Sequence, residues 1–409
     1  MRMRPAVRSL LILALACAGV SRLAAQGDAG ALTLEAAVAR ALRSNPDLVL
    51  ARLRGDSARA ETRIARSYAN PSLGIAPNNP WQYSVTAPLD VGPQRTYRVR
   101  TANDGAVAAG HDIGDATRQL RFAVRAAFFD LVLADTLRAI AAETRSIFSD
   151  LLAADSARVR AGDLPERNLV KSELELAKAD ADLSRASAAV RAARLALELT
   201  MGVDHPDTSL RVAGSLALRR LPGLAVSASD SAIAARSDVR AADARTNASE
   251  NARRFAGALM VPVPDLTLVQ QRDDPFPNGQ HYALGIGVQI PAWNWFSGER
   301  ERADASLEQS RVSAVRIRAQ ARVEVETAID QLAASEQLAF KLDATMLEKA
   351  RGALETARFA YASGAISYVE LLDAVRTQGE IRSDAATAAH DYWVAAYAVV
   401  RALDREMVP

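Results

Sequence analysis

Two hydrophobic periods divide the chain between them. Leu169, Leu176, Leu183, Val190 and Leu197 recur every seven residues, and Ser172, Ala179, Ala186, Ala193 and Thr200 fill the alternate position. A heptad whose second seam residue is small predicts a coiled coil with close backbone approach. The same 3–4 spacing at Leu137, Ile140, Thr144, Ile147, Leu151 and Ala154 predicts the preceding helix. A helix from about Thr101 to Arg160 would be on the order of 90 Å long, at 1.5 Å per residue. An ordinary globular core has no use for that length. An antiparallel coiled coil turning back at Gly162 does, and a second one turns back at Gly364.

Elsewhere the period drops to two. Tyr282, Leu284, Ile286, Val288 and Ile290 alternate with His281, Ala283, Gly285, Gly287 and Gln289; Trp81, Tyr83, Val85 and Ala87 alternate with Gln82, Ser84 and Thr86. This predicts strands with one apolar and one small or polar face. Their length, about 9–11 residues, suits a membrane barrel. Weaker patterns near Leu73–Ile75 and Leu266–Leu268 supply partners, across turns at Pro77-Asn78-Asn79-Pro80 and at 273–279. The strands alone fit two soluble hairpins equally well.

The two periods occur in the same order twice, about 200 residues apart. Asn45-Pro46-Asp47-Leu48 answers to Arg236-Ser237-Asp238-Val239, and Pro71-Ser72-Leu73 to Pro264-Asp265-Leu266. Pro88-Leu89-Asp90-Val91-Gly92 matches Pro291-Ala292-Trp293-Asn294 with Gly298 following, and Asp130-Leu131 matches Asp330-Gln331-Leu332. The turn at Gly162 aligns with the turn at Gly364. The expected organisation is residues 1–25 as a signal peptide, 26–222 as a first repeat and 223–409 as a second. Each repeat would hold a helix, two strands and a long helical hairpin.

The signal rests on Arg2, Arg4 and Arg8 ahead of an apolar run from Leu10 to Val20, with small residues at Ala24-Ala25. The run is too short for a membrane anchor of about 18 residues or more. Cys17 admits a second reading, a lipoprotein signal, although Ala14-Leu15-Ala16 fits a lipobox poorly. Cleavage before Gln26 removes Arg2, Arg4, Arg8 and Arg22 and no acid. The 50 basic and 48 acidic residues become 46 and 48, a formal charge of about −2. The apparent basicity therefore argues for no nucleic-acid partner. The mature chain would hold no cysteine, so disulfides and thiolate metal sites are excluded. No later run is apolar enough for a spanning helix, so a membrane crossing would need strands closed into a barrel.

These features together resemble the TolC family of outer-membrane efflux proteins, over nearly all of residues 32–403. The carrying segments are LTLEAAVARALRSNPDL at 32–48, PLDVGPQR at 88–95, RAGDLPERNLVKSELELA at 160–177 and YASGAISYVELLDA at 361–374. PLDVGPQR and IGVQIPAWNWFSGE at 286–299 look most like the CzcC-like heavy-metal branch. The resemblance implies a mainly α protein with a small membrane β-barrel part. Three copies would form a homotrimer, each giving four strands to one twelve-stranded barrel and its helices to a periplasmic tunnel. Implied partners are a periplasmic adaptor, an inner-membrane pump of the RND type and outer-membrane lipid. The implied function is a passive duct for small molecules or metal cations, with no cofactor.

Carried onto this sequence, the resemblance marks three groups of residues. Glu370 and Asp373, three apart on one helical face, match a pair of carboxylates ringing the periplasmic entrance; Ser367 with Glu370 also reads as a capping box. Tyr361 matches a position that helps latch that entrance, and plain packing is the other reading. Asn168 and Ile366 stand where the family often has an aspartate and an arginine, which implies a latch weaker or differently built. Gly162, Asp163, Leu164, Gly364, Ala365, Ile366 and Ser367 form tips that would dock the adaptor, and they are turns on either reading. Trp293, Trp295 and Phe296 read as a membrane-interface girdle or as packing at the barrel-to-helix junction.

His111, His205, His281 and His390 lack ligand spacing, and no metal site is expected. An enzyme has no support, because phosphate loop, nucleophile motif and histidine cluster are all missing. The remaining alternative is a periplasmic adaptor-like coiled-coil protein of an export system. An adaptor would carry one hairpin between glycine-rich strand modules, where this chain has two hairpins preceded by strands.

Overall fold

The computed structural model describes residues 31–77, 81–205, 210–220, 230–272, 280–342 and 344–404. The proposed signal, Cys17 and the tips of both strand turns lie outside these. In chain order the elements are β1 (Ala31–Leu32), α1 (Leu34–Ser44), α2 (Pro46–Arg66), β2 (Ser72–Ala76), β3 (Gln82–Pro88), α3 (Pro93–Ala161), α4 (Glu166–Thr200) and β4 (Arg211–Val212). Then follow α5 (Asp230–Ala235), α6 (Ser237–Ala258), β5 (Pro264–Arg272), β6 (Gln280–Val288), α7 (Ser297–Lys341), α8 (Ala344–Ala362) and α9 (Tyr368–Ala402).

Helix starts follow local chemistry. The Asn45 side chain accepts from the Leu48 amide while Pro46 occupies the first turn of α2. Its amide nitrogen donates 2.9 Å to the Thr200 carbonyl, so one side chain caps α2 and ties it to the end of α4. Proline again opens α3, which runs unbroken for 69 residues, about 100 Å. It starts at Pro93, eight residues before the periodicity predicts, because the 3–4 pattern is weak near the strands. The corresponding helix of the second half is not continuous: it divides into α7 and α8 around Leu342.

Side by side, α4 lies on α3, α3 on α9, and α9 on both α7 and α8, while α2 and α6 pack on the N-terminal part of α3. The main core sits where these elements meet, around Phe128, Leu131, Leu197, Tyr392, Trp393 and Val399. Phe129 stacks on Trp393 with centroids 5.6 Å apart. A two-stranded parallel sheet, β1 with β4, straps this core, and the Tyr392 hydroxyl donates 2.8 Å to the Arg219 carbonyl beyond β4. Neither β1 nor β4 is predicted by the sequence pattern, since two residues carry no period.

In α4 the heptad places Ser172, Ala179, Val190 and Leu197 in the interior. The α3 side departs from expectation near the turn. Ala154 is exposed, and the seam continues through Asp155, which is fully buried. Asp155 lies seven residues after the buried Phe148, so the heptad passes through a polar residue there.

Candidate functional site

The sheet gives the first functional surface. Its order is β2-β3-β5-β6, antiparallel throughout, which leaves β2 and β6 as open edges. Leu73, Val85, Leu268 and Leu284 lie in one row across four strands; Ala87, Leu266 and Ile286 lie in the next. Adjacent rows on the other face hold Ser84, Val269 and Ala283, then Thr86, Thr267 and Gly285, so that face is mostly small or polar. The period-two pattern of each strand thus merges into one apolar face and one face of mainly small and polar residues. The apolar face is uncovered: Leu284 is 70% and Ile286 72% exposed. Water does not favour so continuous an apolar surface, whereas lipid does. Trp81 and Ile290 fall just outside β3 and β6, so these strands are slightly shorter and shifted from their predicted ends.

Trp293, Trp295 and Phe296 follow β6 and precede α7. Trp293 is 96% exposed and Trp295 is also exposed, which rules out packing at the junction for both within one chain. Phe296 is half-buried and takes a positive φ of 50°, strained for an aromatic residue, as it turns the chain into α7.

At the opposite end the chain turns at Gly162 (φ 82°) and Gly364 (φ 75°). Both glycines are needed for backbone sign rather than for space, since an added Cβ would meet nothing within 4 Å. Asp163, Ala365 and Ser367 complete the two turns on the surface, with Leu164 and Ile366 half-buried.

Behind the turns lies a polar knot that sequence reasoning missed. Asp155 on α3 accepts from the Tyr361 hydroxyl at 2.8 Å and from the Ser172 hydroxyl at 2.5 Å. Tyr361 also belongs to a buried apolar cluster with Tyr368, Leu371, Val375, Phe148 and Ala179. Burial first, and then its bond to Asp155, push the Tyr361 phenol well above its ordinary range, so it remains a donor. The Arg158 guanidinium sits 5.5 Å over the Tyr361 ring. Tyr361 therefore binds the first hairpin through Asp155, and Asn168, half-buried in the first turn of α4, is not its partner. The available signal was a carboxylate at a heptad position opposite a serine. Tyr361→Phe should cost about 1–3 kcal/mol by orphaning a buried carboxylate oxygen, measured by thermal unfolding; an unchanged melting temperature would contradict the assigned bond.

Glu370 forms the full capping box. The Ser367 amide donates 2.7 Å to its carboxylate, and its own amide donates 3.3 Å to the Ser367 hydroxyl. The Ser367 bonds hold the Glu370 carboxyl below its usual range, so it stays charged. Asp373 is also exposed, one turn on. Among the described residues no cluster of histidine, cysteine or carboxylate could hold a metal, and no helix is long and apolar enough to cross a membrane.

No protein-family model matches the chain. The cobalt-zinc-cadmium resistance protein CzcC of Cupriavidus metallidurans is 25% identical over 366 residues, covering 87% of this chain and 85% of that protein. A crystal structure of CusC, described in terms of transmembrane channel formation, superposes with a TM-score of 0.77 at 21% identity, covering 91% of this chain and 92% of that one. This is the TolC-type outer-membrane channel fold. The Campylobacter jejuni CmeC outer membrane channel shares it with a TM-score of 0.81 at 16% identity, over 90% of this chain and 85% of that one. The uncovered apolar sheet face and the long helical hairpins are what that fold requires. They are also what an adaptor with a single hairpin would lack.

Proposed function

We propose that the chain is the outer-membrane channel of a tripartite efflux pump, a passive duct from periplasm to exterior. The observation that carries this reading is the four-stranded sheet, apolar on one face, mainly small and polar on the other and open at both edges. In lipid an unpaired strand edge costs several kcal/mol per backbone group, so further copies must complete the ring. Three copies give a twelve-stranded barrel with β6 of one chain against β2 of the next. The helices repeat the logic: α4 and the α7–α8 pair are the two outer members of the packed series, so they meet across copies.

In this reading residues 26–222 and 223–409 are two related units, each adding a strand pair and a helical hairpin to the assembly. Trp293, Trp295 and Phe296 sit at the lipid boundary, where indole rings favour a half-wet environment. The tips around Gly162 and Gly364 meet a periplasmic adaptor that links to an inner-membrane pump of the RND type. Tyr361 and Asp155 latch the two hairpins of one chain near those tips, and Glu370 with Asp373 ring the entrance. The match to CzcC along most of both chains supports divalent metal cations as the cargo.

Two measurements, one on the parent strain and one on its deletion mutant, test the proposal. The protein should stay with outer membranes through salt and carbonate washes, and its loss should raise sensitivity to cobalt, zinc or cadmium. Release by carbonate would remove the channel reading; unchanged metal sensitivity with firm membrane retention would remove only the cargo.

A further inference from the structure

His390 lies on α9 at its contact with α3, and the channel function does not call on it. Its Nε2 is 2.8 Å from a carboxylate oxygen of Asp130 on α3, and its Nδ1 is 2.9 Å from one of Asp391 on α9. A neutral imidazole has one N–H and one lone pair. In that form one ring nitrogen would face a carboxylate lone pair with no hydrogen between them. The arrangement is satisfied at both nitrogens only by the imidazolium, which donates to both acids.

The position matters as much as the chemistry. Toward the tips the boundary between the two hairpins is a groove of about 420 Å³, floored by Leu137, Ile140, Phe148 and Val375. Polar links cross the same boundary between the hairpins: Arg382 to Glu143 at 2.5 Å, Arg376 to Glu175 at 2.6 Å, and the Tyr361 hydroxyl to Asp155. His390 closes the series at the end next to the main core. Arginines keep their charge at any physiological pH, so His390 is the one cation of these links that can lose its own near neutrality.

We propose that His390 is a pH-sensitive clamp across the α3–α9 seam, closed while the ring is charged and released when it loses its proton. The inference goes beyond the channel reading and does not depend on it. Asp130 and Asp391 are the charged groups that bear on the ring. From the other side of α9, α7 presents the neutral Gln331 and Ser335, and Arg219 of the strap lies over the Trp393 ring. Burial of the ring opposes its charge, but the bonds and charges of the two aspartates outweigh it and raise the imidazole above its ordinary 6.5. A proton held more tightly in the folded chain stabilises it fully below that ordinary value. The gain disappears as pH rises through the higher folded value.

The test compares melting temperatures of the whole protein in mild detergent from pH 5.5 to pH 8.5, for the native chain and His390→Gln. Titrations elsewhere are common to both and cancel. The native chain should lose a few degrees more than the variant over this range. Asp130→Asn, which keeps the histidine, should move that loss to lower pH, and it serves also if His390→Gln fails to fold. Parallel curves for native and His390→Gln proteins, or an Asp130→Asn curve that coincides with the native one, would overturn the clamp.

Discussion

Arg236→Ala should destabilise the folded chain by about 3 kcal/mol, the low end of the cost of breaking a buried ion pair. The side chain is only 1% exposed. Its guanidinium forks onto Asp238 at 3.0 and 2.6 Å and reaches Glu324 of α7 at 2.8 Å. A further N–H donates 3.0 Å to the carbonyl of Ala402, the last residue of α9, where the helix dipole favours a cation. Asp404 completes the junction by accepting from the Ser237 amide and hydroxyl at 2.9 and 2.7 Å. One residue thus joins the start of α6, the middle of α7 and the end of α9. Alanine would leave Asp238 with Arg118, 3.6 Å away, as its remaining cation, which keeps the cost from being larger.

Burial alone would raise the Asp238 carboxyl, but Arg236 and Arg118 outweigh it and hold it below the ordinary 3.8. Its contribution is therefore present above that value and lost only as pH falls through the lower folded value. Thermal unfolding at neutral pH should show a drop of several degrees for Arg236→Ala and a smaller one for Arg236→Lys, which keeps charge but not the fork. A shift within experimental scatter would mean that Arg118 alone suffices.

Neutralising the entrance acids, Glu370→Gln with Asp373→Asn, should weaken block of the channel by divalent and trivalent cations at least about tenfold. In the proposed trimer six carboxylates would stand around one opening and concentrate cations there. A unit charge at 4 Å is worth about 1 kcal/mol per carboxylate in water, so losing contact with two acids removes about 2 kcal/mol, more than the roughly 1.4 kcal/mol that makes tenfold. Amides match carboxylates in size, and glutamine can still close the box with Ser367. The substitution therefore reports charge and leaves the helix start in place. Single-channel recordings at equal salt should show lower cation preference and weaker metal block. Unchanged block would leave Glu370 as a cap and nothing more.

Long-period features were legible in the sequence and local polar ones were not. The heptads of α4, the turn glycines and the alternation of β6 each repeat one physical requirement over many residues. Asn45 and Arg236 were found at matching helix starts, because each precedes an acid two residues on. What Arg236 does there was invisible, since Glu324 and Ala402 lie far away in the chain. Asp155 was missed for a related reason. A carboxylate interrupts an apolar seam, and only the fold shows that Ser172 and Tyr361 satisfy it. The break around Leu342 was not foreseen, since the sequence reading predicts one long helix over this stretch. The apolar face of the sheet was read strand by strand, yet its continuity depends on register between strands almost 200 residues apart.

The central claim is that one chain is an incomplete barrel and that three close it. The most direct test is the mass of the protein extracted from outer membranes into mild detergent, by native mass spectrometry. Three chains per particle is the predicted result. A stable single chain that keeps its strand content would show that β2 and β6 need no partner, and would contradict the account.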